Sequence, residues 1–140
     1  MTDDAVPSEA QVMAVMAQRI LVVDDDPLMH WVTQRYLERA GFEMLSAKSG
    51  KEALDLANRE QPQLIILDVR MDEMDGLAVL RQLKESDATR NIPVIMVTVT
   101  SDHLTKLKSE SAGAARFMTK PFQPAQLLAE IRSLVPEHKG

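Results

Sequence analysis

Polar side chains that could carry out chemistry follow four apolar segments of the chain. They are Asp24, Asp25 and Asp26, Asp68, Thr98, and Lys120. Carboxylates are ligands that Mg²⁺ takes together with water and phosphate oxygens. A hydroxyl and a lysine suit the remaining oxygens of a phosphoryl group, and a carboxylate can itself accept that group. Each residue alone could equally be a turn former, a helix cap, a strand residue or a surface lysine. Together they indicate phosphoryl transfer to Asp68.

The apolar segments predict five strands. Continuous runs at 20–23, 64–67 and 94–97 are typical of strands buried on both faces, and weaker candidates lie at 42–47 and 115–119. Helical patterns lie between them: Leu28, Trp31, Val32 and Leu37; Ala53, Leu54 and Ala57; Leu77, Leu80 and Leu83; Leu104 and Leu107; and Leu127, Leu128, Ile131 and Leu134.

This alternation predicts one α/β domain, a (βα)5 unit with a doubly wound parallel sheet. Gly41 and Gly113 stand where the first and fourth helices should end. Ligands of such sheets bind beyond the carboxyl ends of the strands, where the polar residues stand. Asp26, before Pro27, is expected to cap the first helix, which leaves Asp24 and Asp25 for a cation.

Composition excludes several classes of function. The 140 residues include 16 basic and 21 acidic ones, for a net charge of -5, which disfavours direct binding to nucleic acid. Cysteine is absent, so disulfides and thiolate sites are excluded. The apolar runs are too short for membrane insertion and the acidic start is wrong for a secretory signal, so a cytoplasmic location is expected. His30, His103 and His138 share no metal-ligand spacing and are expected to be surface or packing residues.

Four segments of the chain resemble receiver domains of two-component response regulators: ILVVDDDP, LIILDVRMDEMDG, IPVIMVTVTS and ARFMTKPFQPAQLLAEI. The separations match as well, with 43 residues from Asp25 to Asp68, 30 from Asp68 to Thr98 and 22 from Thr98 to Lys120. The resemblance covers residues 19–136. Residues 1–18 are then a flexible lead segment or short helix, and residues 137–140 a C-terminal tail.

The resemblance implies a site in which Asp68 takes a phosphoryl group from a histidine kinase or histidine phosphotransfer protein. Mg²⁺ would be held by Asp24, Asp25, Asp68 and the backbone carbonyl of Arg70. The family also implies a flavodoxin-like sheet with strand order 2-1-3-4-5 and a cis peptide between Lys120 and Pro121.

The resemblance further implies a switch. Thr98 and Lys120 would hold the phosphoryl oxygens, and Phe117 would occupy the aromatic switch position. Phosphorylation would then reshape the surface from the fourth helix to the fifth, residues 101–111 and 116–126, to control a downstream protein. The chain ends after the last helix, so a stand-alone domain is expected.

Two residues depart from the family pattern. Asp72 replaces a common proline and makes its loop acidic, which should slow anionic donors, so Asp72→Pro should speed phosphorylation by a small donor. Val99 replaces a small residue and should limit access to the phosphoryl group. A solvated loop position is an equally good interpretation of Asp72.

Other classes of function stay open at this point. A pseudo-receiver would bind partners without being phosphorylated. A haloacid-dehalogenase-like phosphatase would use the Asp-x-Asp pair Asp24 and Asp26, although Leu28 and the short chain argue against it. A dinucleotide-binding domain is disfavoured, because no glycine-rich fingerprint follows the first strand.

Overall fold

The computed structural model describes residue 6 and residues 18–70, 75–99 and 103–135. Within these ranges the strands are β1 (Arg19–Val23), β2 (Glu43–Ala47), β3 (Leu64–Asp68), β4 (Val94–Thr98) and β5 (Arg116–Thr119). The helices are α1 (Pro27–Arg39), α2 (Gly50–Glu60), α3 (Gly76–Glu85), α4 (His103–Ser111) and α5 (Pro124–Leu134). The possible lead helix, Asp72 and the C-terminal tail lie outside the described residues.

The five strands form one parallel sheet in the order β2-β1-β3-β4-β5. This order confirms the flavodoxin-like prediction. Alternate residues of β1 point to opposite faces, so Leu21 and Val23 join one core cluster while Ile20 and Val22 join the other. The apolar runs are continuous because both faces of these strands are covered.

Helices cover both faces of the sheet. The cluster around Leu21 includes residues of α2 and α3, and the cluster around Ile20 includes residues of α1 and α5. The apolar patterns predicted for α2, α3 and α5 face these clusters. No helix in the described part of the chain is long and apolar enough to cross a membrane.

The apolar face predicted for α1 is wrong. Leu28 and Trp31 are 64% and 58% exposed, whereas His30, Thr33 and Leu37 are buried. At about 100° per residue, Leu37 lies on the opposite side of the helix from Leu28. The helix therefore buries two polar residues beside Leu37 and leaves two large apolar residues at the surface.

The prediction for α4 is wrong in the same way. Leu104 and Leu107 are 55% and 47% exposed. The one buried residue of this helix is Ser109, whose hydroxyl donates to the carbonyl of Thr105. Helix α4 therefore covers the sheet without inserting a large apolar side chain.

Caps and turns define where the helices begin and end. Asp26 caps α1 as predicted, because its Oδ1 accepts from the backbone N–H of Leu28 at 3.0 Å. Asp75 caps α3 in the same manner at Leu77. Gly41 and Gly113 adopt positive φ angles of 92° and 105° after α1 and α4, as expected for helix C-termini.

Candidate functional site

Three carboxylates meet where the adjacent strands β1 and β3 end. Asp24 and Asp25 follow β1, and Asp68 is the last residue of β3. One carboxylate oxygen from each residue lies within 4.8 Å of the other two. All three donors are hard oxygens, the type that Mg²⁺ prefers, so the cluster fits a divalent cation. The predicted convergence of these residues is therefore present.

Lys120 reaches this cluster from the end of β5, the edge strand two positions away from β3. It follows β5, and its backbone N–H donates to the carbonyl of Thr98 at 2.7 Å. Its Nζ lies 2.6 Å from Oδ2 of Asp24 and 3.2 Å from Oδ2 of Asp68. The Lys120–Pro121 peptide is cis, as the resemblance implied. The ammonium thus already contacts two of the carboxylates that a cation would share.

Asp24 is held through both its backbone and its side chain. Its N–H donates to the carbonyl of Ala47 in β2 at 3.1 Å, and its Oδ1 accepts from the N–H of Asp26 at 2.9 Å. Its backbone oxygen lies 2.6 Å from Nε2 of His30. Sequence reasoning treated His30 as a surface or packing residue and missed this bond. The signal available in the sequence was the spacing between His30 and Leu37, which places both residues on one face of α1.

Asp68 is anchored at the end of its strand and is 9% exposed. Its Oδ1 accepts from the backbone N–H of Arg70 at 3.0 Å. Burial raises the pKa of the Asp68 carboxyl above its ordinary value, even though the Arg70 bond and the Lys120 charge act in the opposite direction. The pKa of Lys120 is also raised, because Asp24 and Asp68 outweigh the effect of its burial.

Gly76 brings the start of α3 against the backbone of the site. Its N–H donates to the carbonyl of Val69 at 2.8 Å. A Cβ at this position would lie 2.1 Å from the backbone oxygen of Asp68 and 2.8 Å from Cα of Val69. Only glycine fits so close an approach. Sequence reasoning did not single out this residue, although it follows the cap Asp75 directly.

Thr98 and Phe117, the two residues predicted to form the switch, lie on neighbouring strands. Thr98 ends β4 and is 1% exposed. Phe117 lies in β5, is partly buried, and packs against the core cluster that contains Met96. Arg70, whose carbonyl was expected to bind the cation, lies in an exposed position two residues after Asp68.

An apolar groove opens beside the site. It has a volume of about 410 Å³ and lies between α1 and the segment that follows β5. Its lining includes Met29 and Tyr36 on one side and Lys120 and Phe122 on the other. Val99, which is 70% exposed, lines the same groove. The residue expected to control access therefore stands at an open surface next to Lys120.

Comparisons with known proteins agree with this architecture. A family model described as the response regulator receiver domain matches residues 20–132. The alkaline phosphatase synthesis transcriptional regulatory protein PhoP of Bacillus subtilis is 36% identical over 120 residues, which is 86% of this chain and 49% of PhoP. The chain thus spans about half the length of this curated relative.

Solved structures are similar over nearly their whole length. The chemotaxis protein CheY4 of Vibrio cholerae has a TM-score of 0.81 and 28% identity, covering 85% of this chain and 99% of that one. The receiver domain of sensor histidine kinase PA1611 from Pseudomonas aeruginosa has a TM-score of 0.80 and 25% identity, with coverages of 86% and 99%. That structure has a magnesium ion coordinated in its active site cleft.

Proposed function

The chain belongs to the family of response regulator receiver domains, and on this premise we propose that Asp68 accepts a phosphoryl group from a histidine kinase or histidine phosphotransfer protein. The observation that carries the proposal is the approach of Lys120 Nζ to within 3.2 Å of an Asp68 carboxylate that lies beside two further carboxylates. The receiver domain is assigned to residues 19–136, and a cytoplasmic location is part of the proposal.

In this reaction a carboxylate oxygen of Asp68 forms a bond to phosphorus as the phosphorus–nitrogen bond of the donor histidine breaks. The leaving imidazole takes up a proton. Asp68 suits this role because its Oδ1 is held by the Arg70 N–H, which fixes the carboxylate at the sheet edge. A carboxylate nucleophile that gives an aspartyl phosphate is established chemistry in proteins.

Asp24, Asp25, Asp68 and the backbone carbonyl of Arg70 would hold Mg²⁺. The ion would supply positive charge to the phosphoryl oxygens as negative charge develops there. The all-oxygen donor set supports this assignment, and the magnesium coordinated in the PA1611 receiver domain supports it by similarity. Asp24 and Asp25 would serve as ligands, whereas Asp26 caps α1.

Lys120 and Thr98 would hold the phosphoryl oxygens. Lys120 is charged at neutral pH, since its raised pKa reflects the two carboxylates that it contacts. The phosphoryl group would give the ammonium a third anionic partner at the same place. Thr98 lies at the end of the neighbouring strand β4, where its hydroxyl can donate to the new group.

The output would be a change of surface rather than turnover of a substrate. Movement of Thr98 toward the phosphoryl group would let Phe117 turn inward and reshape the surface formed by α4, β5 and α5. The exposed Leu104 and Leu107 on α4 support a docking role for this surface. PhoP, named as a transcriptional regulatory protein, is about twice as long, so the partner can be another part of a longer chain or a separate protein.

The test is phosphorylation by acetyl phosphate in the presence of Mg²⁺, with Asp68→Asn as the control variant. Wild-type protein should gain acid-labile phosphate, and the variant should not. Absence of labelling in both would favour the pseudo-receiver. Steady release of inorganic phosphate from p-nitrophenyl phosphate would instead revive the phosphatase alternative, so the same preparation should be assayed for it.

A further inference from the structure

His30 is a buried polar residue behind the proposed cation site. It is 7% exposed and lies on the inner face of α1 with Thr33 and Leu37. Its Nε2 lies 2.6 Å from the backbone oxygen of Asp24. A carbonyl oxygen can only accept, so Nε2 is the nitrogen that carries the proton. Nδ1 is buried and has no hydrogen-bond partner within the described ranges, so one bond accounts for the polar contacts of the ring.

That bond completes the set of partners around Asp24. Its N–H is held by Ala47, one carboxylate oxygen by the Asp26 N–H, and the other by Lys120. The backbone oxygen of this residue, which is 3% exposed, is paired with His30. Without the imidazole, a buried carbonyl would lose its donor in the segment that leads directly into Asp25.

His30 is well placed to hold this segment. It is the fourth residue of α1, which begins at Pro27 after the cap Asp26. The fourth helical position is where an apolar side chain often packs back against the residue before the cap and fixes how the chain enters the helix. Here the contact is a hydrogen bond that reaches one residue farther back, to Asp24. It ties the first turn of a packed helix to the end of β1.

We propose that His30 is a positioning residue that sets the affinity of the site for divalent cations. Its hydrogen bond holds the connection between β1 and α1 so that Asp24 and Asp25 present their carboxylates toward Asp68. This inference rests on the proposed Mg²⁺ site and extends it. The bond acts on ligand geometry in the free protein, before any phosphoryl donor arrives.

The test compares the Mg²⁺ dissociation constants of His30→Leu, His30→Gln and Thr33→Val by calorimetric titration. Leucine fills similar space without a donor. The glutamine amide nitrogen lies as many bonds from Cβ as Nε2 does, so it can rescue the bond. Thr33→Val is the matched control, because it replaces another buried polar residue on the same face of α1.

Mg²⁺ should bind about tenfold more weakly to His30→Leu. The affinity of His30→Gln should recover, and that of Thr33→Val should equal the wild-type value. Unchanged affinity in a folded His30→Leu variant would overturn the inference. Failure of wild-type protein itself to bind Mg²⁺, with Asp25→Asn as reference, would overturn the proposed function instead.

A measurement on wild-type protein keeps the inference testable if His30→Leu does not fold. The ¹⁵N chemical shifts of the His30 ring report which nitrogen is protonated. The Nε2–H form is expected in metal-free protein, and the Nδ1–H form would contradict the hydrogen bond. The variant Asp24→Asn lacks one of the proposed carboxylate ligands. A His30→Gln affinity for Mg²⁺ as weak as that of Asp24→Asn would also count against the inference.

Discussion

Asp68 combines a buried carboxylate with donors that favour its charged form. Burial is the larger influence and raises its pKa above the ordinary value of 3.8. The folded state therefore binds a proton at Asp68 more tightly than the unfolded state does. Stability linked to this group is fully present below the unfolded pKa and is lost as the pH rises through the folded pKa. At neutral pH, ionised Asp68 destabilises the metal-free fold.

Asp68→Asn should therefore raise the free energy of unfolding at neutral pH when Mg²⁺ is absent. The amide can still accept from the Arg70 N–H, and Lys120 keeps its 2.6 Å contact with Asp24. The gain should shrink as the pH falls toward the unfolded pKa, because wild-type Asp68 becomes protonated there. Urea unfolding at several pH values measures the difference, and a gain that grew toward acid pH would contradict the expected sign.

Gly76→Ala should be strongly destabilising, by roughly 3 kcal/mol, since its Cβ would meet the Asp68 carbonyl at 2.1 Å. Gly41→Ala is the control, because no heavy atom lies within 4 Å of its Cβ and only its φ of 92° is unfavourable. That backbone strain should cost about 1 kcal/mol. Chemical denaturation of both variants tests the ranking, which would be wrong if Gly41→Ala were the less stable protein.

Val99→Ala should shorten the lifetime of the phosphoryl group. Val99 borders the groove next to Lys120, and its stiff branched side chain should restrict the approach of water. The rate of hydrolysis should increase roughly threefold, which corresponds to a lowering of the hydrolysis barrier by less than about 1.4 kcal/mol. Loss of acid-labile phosphate with time gives the rate. Val99→Ile should hydrolyse no faster than wild type, and equal rates for all three proteins would refute shielding.

At the scale of the elements, the strands were predictable and two helix faces were not. Apolar runs buried on both sides identify β1, β3 and β4, and parallel strands bring their carboxyl ends to one edge. The position of the polar residues that follow those runs could therefore be predicted from the sequence. The burial of His30 in α1 was missed because hydrophobicity alone favours the surface, although the helical spacing of His30 from Leu37 places both residues on one face. The role of Gly76 was also hidden, since it depends on how closely the start of α3 approaches the backbone of Asp68 and Val69.

Helix α4 is the element best suited to move. Its two leucines are largely exposed, and Ser109 is its one buried residue. Little apolar area therefore opposes a shift or local opening of this helix. Helix α3, by contrast, buries Leu77, Val79, Leu80 and Leu83. The proposed switch surface therefore contains α4, a helix that buries no large apolar side chain in the core.

Amide hydrogen exchange should show this difference. Backbone amides of α4 should exchange at least about tenfold faster than those of α3 in metal-free protein, a gap of 1.4 kcal/mol in opening free energy. Mg²⁺ with beryllium fluoride should change the exchange of α4 and β5 more than that of α2. Asp68→Asn is the control, and an identical response in that variant would mean that the change does not arise from the phosphoryl site.

At the scale of the whole molecule, the site joins three strands and two connections that are distant in sequence. Asp24 follows β1, Asp68 ends β3, and Lys120 follows β5, so 96 residues separate the first and last of them. A ligand that contacts such a set binds the folded state and not the unfolded chain. Binding should therefore stabilise the entire fold.

Saturating Mg²⁺ should raise the melting temperature of protein that has been treated with a chelator. The added stability is about 2.7 kcal/mol when the free ion concentration is 100 times the dissociation constant. Asp25→Asn should lose most of this gain, whereas its melting temperature without the ion should stay close to the wild-type value. Differential scanning calorimetry at several Mg²⁺ concentrations measures the shift. A similar gain in the variant would place the bound ion elsewhere.

The contact of Lys120 with Asp24 and Asp68 would also favour a divalent cation at the proposed site. Among these four side chains, three carboxylates and one ammonium leave two net negative charges. A monovalent ion would leave one of these charges uncompensated and a trivalent ion would exceed them, whereas a divalent ion would bring this cluster to neutrality. An aspartyl phosphate would then add about one further negative charge. The first effect of phosphorylation would thus be a departure from electroneutrality. Because Lys120 already contacts Asp68, the added negative charge would act directly on its ammonium group.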